Sequence, residues 1–245
     1  MDNLTHSLFG LTLARTPIGK AGRGTTAALL LASNAPDIDF VVTLGGAAKY
    51  LEFHRGPTHG PLGVIGLGAV VATVCALGLR LRGQRGSDPP ASFPMLWAAS
   101  ALGVACHVLM DLPTSYGTRP LSPFLWTWFS VDWMPIVDIY LLAILGGGLW
   151  LGRGSAQDRG GRPVRQRRYA LITLALMAVN YGVRAASHHT AIARAPEVFG
   201  ERLPGWCAQS VRPSLTPDRW PRSPDRKSTR LNSSHVSESR MPSSA

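Results

Sequence analysis

The chain has 245 residues, 45% hydrophobic and 16% charged, with a mean hydropathy of +0.08. A formal net charge of +11 raises nucleic acid as a partner, but the arginines stand in short clusters between apolar runs with few aromatic residues among them. The charge therefore reads as membrane topology, and no nucleic-acid partner is expected. Cys75, Cys106 and Cys207 form no CxxC pair and the first two lie inside apolar runs, so no disulfide framework is expected either.

In chain order, residues 3–14 and 25–35 are two short apolar helices, joined by a loop that carries Arg15, Lys20 and Arg23. No basic leader or small-residue cleavage site precedes them, so no cleaved signal peptide is expected. Each is about a dozen residues, short for a bilayer that needs about 20, which suits re-entrant or half-embedded helices. Four longer runs follow. Leu62–Leu79 is 18 residues without a charge, and Pro89–Met110 is charge-free over 22, with Pro94 expected to start its helix. Ile139–Gly152 and Tyr169–Val183 are marginal spans at 14 and 15 residues. The glycines of GVIGLG (63–68) suit close helix–helix approach. The expected fold is all-α: a helical membrane bundle of about four transmembrane helices plus the two short N-terminal ones.

Arg80, Arg82 and Arg85 follow the first long run, and six arginines between Arg153 and Arg168 fill the loop before the last. Short basic loops stay in the cytoplasm, so the opposite ends, around 54–61, 111–138 and 186–194, are expected outside. Residues 1–190 are then a membrane-embedded domain and 191–224 the start of an extracytoplasmic region. Residues 225–245, beginning DRKSTRLNSSH, match a reading frame of a short-read library adapter. They are expected to be non-native and disordered, leaving a net charge of +9 without them. The natural chain is expected to continue beyond Pro224.

Ionisable residues crowd the ends of the apolar runs, where charge is costly and serves function. His107 and Asp111 are four apart and share one helix face. Asp37 and Asp39 follow Pro36, which biases the chain out of a helix. His54 and His59 bracket Gly56-Pro57, a turn that lets both rings converge. A lone histidine is more commonly structural, and a His/Asp pair four apart is as commonly an ion pair. Three such pairs on one side of the bundle make the stronger pattern. Imidazoles with carboxylates are the ligand set of zinc, manganese or non-haem iron.

The stretches MDNLTHSLFGLTLAR, ASNAPDID, HRGPTHG, HVLMDLPTSYGTRPLSPF and DWMPIVD occur in an order that resembles the YdjM-like (YbcI-type) membrane-bound metal-dependent hydrolases. The resemblance covers roughly residues 1–150 well and the last apolar run loosely. It implies an integral helical protein with a metal site, and its motif positions here are His6, Asp37, Asp39, His54, Arg55, His59, His107, Asp111 and Asp138. Two departures are visible. Gly60 stands where serine usually closes the HRGxTHS pattern, and Tyr140 follows Ile139 where the family more often has proline after its aspartate.

The expected activity is hydrolysis assisted by one or two divalent metals, zinc first and manganese second, at the outer membrane face. Expected ligands are His6, Asp37, Asp39, His54, His59, His107 and Asp111. Asp39 or Asp138 would serve as general base, and Arg55 would pair an anionic substrate oxygen. Site position favours a phosphoester or lipid-linked substrate, with membrane lipids as the surrounding partner. The alternative is a metal carrier or sensor using the same residues. A conduit would need polar groups through the spans, and their middles are apolar apart from Asn180.

Overall fold

The computed structural model describes residues 1–82, 89–153 and 164–199. Within them the chain forms seven α-helices: α1 (Asn3–Ala14), α2 (Thr25–Ala32), α3 (Ala47–Phe53), α4 (Pro61–Arg82), α5 (Phe93–Asp111), α6 (Ile139–Leu151) and α7 (Val164–Phe199). Residues 200–245, holding most of the expected extracytoplasmic region and the whole adapter-like tail, lie outside the described residues.

Local chemistry explains the helix starts. Asp2 caps α1 by accepting from the Thr5 amide at 2.9 Å and the Thr5 hydroxyl at 2.6 Å. Asp138 caps α6 in the same way, accepting from the Leu141 amide at 2.9 Å. Such caps contribute about 1 kcal/mol each. Pro94 lies in the first turn of α5, where its missing N–H costs nothing, as the sequence predicts.

Four stretches are long and apolar enough to cross a membrane: Thr25–Gly45, Pro61–Leu81, Phe93–Asp111 and Val164–Arg194. The bundle of about four spans therefore stands, with Thr25–Gly45 joining the stretches long enough to cross. Pro36 ends α2 as an α-helix, yet the chain continues as a 3-10 helix over Ala35–Gly45 because FVVTL keeps the stretch apolar. In contrast, α6 has 13 residues and a length of about 20 Å, less than a hydrocarbon core.

Two packed groups build the bundle. In one, α2, α4 and α5 bury Ala28, Ala32, Ala72, Leu96 and Val104. In the other, Phe9 and Leu13 of α1 meet Leu141 and Leu145 of α6 and Met177 of α7. A Cβ on Gly68 would lie 3.1 Å from Ala101, so this glycine sets the close approach of α4 to α5. The outer faces stay apolar. Ile65, Val70, Val74 and Leu77 of α4 are each more than half exposed, as are Val179 and Val183 of α7. A soluble helical hairpin would not leave such faces to water, whereas lipid covers them at no cost.

Arg15, at the close of α1, donates to the Leu149 carbonyl at 2.6 Å, and Arg165, opening α7, donates to the Leu151 carbonyl at 3.1 Å. These contacts gather Arg15 and Arg165 at one end. At the other lie the start of α4, the end of α5 and the loop 112–138. That loop is tied by Thr118 and Phe129, which exchange two backbone hydrogen bonds of 2.8 Å.

Candidate metal centre

The end of the bundle opposite the arginines holds a buried group of histidines and aspartates. Asp37 comes from the 3-10 helix after Pro36, His59 from the turn before α4, and His107 and Asp111 from the last turns of α5. One nitrogen or oxygen from each lies within 4.8 Å of those of the others. His107 Nε2 is 3.4 Å from Asp37 Oδ1, 3.4 Å from Asp111 Oδ2 and 3.3 Å from His59 Nε2. His59 Nε2 is 3.5 Å from Asp111 Oδ2.

The partners of the other ring nitrogens decide where the protons sit. His107 Nδ1 is 2.8 Å from the Ser33 carbonyl, a pure acceptor, so Nδ1 carries the hydrogen and Nε2 the lone pair. Thr58 donates its hydroxyl to Asp39 Oδ2 at 3.0 Å and accepts from His59 Nδ1 at 3.0 Å. The lone pair of His59 is therefore also on Nε2. Burial first, then the neighbouring His107 and Arg55, hold His59 well below the ordinary histidine range, so its ring is neutral. In their neutral form both imidazoles thus turn an Nε2 lone pair toward two carboxylate oxygens, and Asp111 Oδ2 has no hydrogen-bond partner among the described residues. Lone pairs so placed repel one another unless a cation sits among them. The donor set fits a divalent ion.

His6 borders this group. Its ring stacks on His107 with centroids 3.8 Å apart, and its Nε2 lies 3.3 Å from the second oxygen of Asp111, which the Met1 amine also touches. Neither ring nitrogen of the fully buried His6 has a hydrogen-bond partner among the described residues. Burial, followed by His107, holds it well below the ordinary range.

Asp39 and His54 form a separate pair beside the four. Asp39 Oδ1 is 2.9 Å from His54 Nδ1, while its Oδ2 accepts from the Arg55 amide at 2.7 Å and from Thr58. Asp39 therefore spends its acceptor capacity on the HRGPTHG turn. His54 stacks on Tyr50 at 4.4 Å, and its side chain is 12% exposed.

Arg55 sits between the two groups. Its guanidinium donates to the Gly117 carbonyl at 2.9 Å, lies 3.4 Å from Asp111 Oδ2 and stacks over Tyr116 at 4.9 Å. Its backbone has φ of +54°, a left-handed conformation costing a non-glycine residue about 1–2 kcal/mol. The Asp39 bond to its amide and the Arg119 bond to its carbonyl, at 3.0 Å, hold it there. Asp138 makes its contacts elsewhere at the same end, capping α6 and pairing with Arg184 at 2.6 Å.

Gly60, the departure from the resembled pattern, has a steric reason. A Cβ there would run into the Ser122 carbonyl, so a serine would displace the loop packed against the turn. Tyr140, the other departure, is exposed on α6 with the Arg184 guanidinium over its ring at 5.4 Å. Thr58 and Ser33 escape sequence reasoning, although Thr58 stands inside the HRGPTHG motif.

Residues 1–191 match the model of the YdjM inner membrane protein family. The chain belongs to that family. It is also similar to "Uncharacterized protein YfhP" of Bacillus subtilis (strain 168), at 28% identity over 165 residues, which is 63% of this chain and 48% of that protein. The chain thus spans about half the length of the curated relative it matches. No solved structure matches. Family and apolar helices together make this a multi-pass membrane protein.

Proposed function

We propose that the chain is a membrane-bound, metal-dependent hydrolase acting on a phosphoester, lipid-linked or otherwise amphiphilic, at the membrane face. The observation that carries this reading is the convergence of four nitrogen and oxygen donors, from Asp37, His59, His107 and Asp111, in a largely buried site. These four would hold the ion, zinc first and manganese second by donor chemistry. A bound divalent ion supplies Lewis acidity and a lowered pKa for water.

The chain's own residues complete the chemistry. Asp39 holds the hydrogen of His54 on Nδ1, which leaves the Nε2 lone pair to accept a proton. Asp39 thereby acts as a positioning residue, and His54 takes the general-base role the sequence offered to Asp39 or Asp138. Arg55 Nε has no partner among the described residues, so one N–H of its fork remains for an anionic substrate oxygen. Phe124, Leu125 and Trp126, at this end of the bundle, are exposed as interfacial side chains are, which suits a substrate arriving from the lipid. The arginine-rich opposite end belongs in the cytoplasm by the positive-inside rule, so the site faces outward.

The test is release of phosphate from lipid-linked phosphoesters in mixed micelles, with metal content measured in parallel. Chelation is expected to abolish turnover and His54→Ala to abolish it with the metal retained. A metal-loaded protein that hydrolyses none of these substrates would leave a carrier or sensor as the better reading.

A further inference from the structure

The basic end of the bundle has a site of its own. A cavity of about 440 Å³ opens there between the start of α2, the end of α4 and the start of α5. Ala76, Leu79, Pro90 and Phe93 give it an apolar wall, and Arg23 and Arg80 line it as well. Its rim is fixed. The Arg23 amide donates to the Pro89 carbonyl at 2.9 Å and the Ala91 amide to the Arg23 carbonyl at 3.0 Å, zipping two loops together. Depth adds a second constraint. Arg80 stands one residue before the close of the apolar stretch Pro61–Leu81, and Phe93 opens the stretch Phe93–Asp111. The cavity therefore lies where both spans leave the hydrocarbon, at the level of lipid phosphates.

We propose that this cavity binds the headgroup and upper acyl chain of an anionic phospholipid, with Arg80 on the phosphate and the α4–α5 wall on the chain. The Arg80 side chain makes no hydrogen bond or ion pair among the described residues, and a guanidinium fork matches phosphate oxygens two at a time. An arginine that only reached for water at a span end would need no apolar cavity wall beside it. Basic pockets between transmembrane helices are the setting in which anionic headgroups bind. This site is independent of the hydrolase reading, since it shares no residue with the metal centre.

The test uses the whole protein in neutral detergent, supplied with phosphatidylglycerol, phosphatidylcholine or inorganic phosphate. Lipid retained through native mass spectrometry and the thermal midpoint are both read. Wild type is expected to retain phosphatidylglycerol over phosphatidylcholine and to gain thermal stability from it alone. Arg80→Gln should weaken retention about fivefold, as the loss of one favourable charge at a membrane surface does. Ala76→Leu, which narrows the cavity and keeps both arginines, should weaken it too. Arg153→Gln, at the same end but outside the cavity, should leave it unchanged. Equal loss in the Arg80 and Arg153 variants, retention unaffected in Arg80→Gln, or equal protection by free phosphate would each overturn the proposal. The lipid-free midpoint of each variant shows that folding is intact.

Discussion

Asp111 and Asp138 are both buried carboxylates at the same end of the bundle, and they are opposites. Asp138 is satisfied: one oxygen caps α6 and the other meets Arg184. Asp111 closes α5 with an oxygen that has no hydrogen-bond partner among the described residues, facing the Nε2 atoms of two imidazoles and a second carboxylate. Burying a charge is costly unless it is paired. Asp138 meets that requirement within the chain, so it serves structure. Asp111 meets it only partly, through Arg55 at 3.4 Å and the Met1 amine, and the shortfall is what a cation would fill.

This contrast yields predictions in descending size. His107→Ala should lower metal affinity by more than about a hundredfold, above the range for groups that merely orient a ligand. Isothermal titration with zinc or manganese would measure it. Thr58→Val keeps the shape and removes the link between His59 and Asp39, so affinity should fall about tenfold. If affinity in Thr58→Val equals wild type, the tautomer of His59 is set by something else. Asp138→Asn keeps the helix cap and loses the pair with Arg184, whose side chain is 31% exposed and can turn to water. Stability should drop by about 1–2 kcal/mol with metal content unchanged. Gly60→Ser restores the residue of the resembled pattern but meets the Ser122 carbonyl, and should cost about 1–3 kcal/mol in thermal unfolding.

Much of the site was legible because its residues come as short motifs at the ends of apolar runs. Spacing put His107 and Asp111 on one face, and Pro57 forced the turn that delivers His59. The separation of Asp39 and His54 from the four was not legible. It depends on which carboxylate the turn's own amides and hydroxyl reach, and no spacing rule encodes that. Asp138 entered the expected site through the DWMPIVD stretch of the resemblance, although an aspartate just before an apolar run is also the signature of a helix cap. The span over Thr25–Gly45 was hidden by Pro36, which breaks the α-helical period without ending the apolar stretch.

Metal analysis of the purified protein tests the central claim most directly, with wild type, Asp111→Asn and Asp138→Asn prepared side by side. The account predicts a divalent ion retained by wild type and by Asp138→Asn, and lost from Asp111→Asn. No ion in wild type, or equal content in all three, would contradict it.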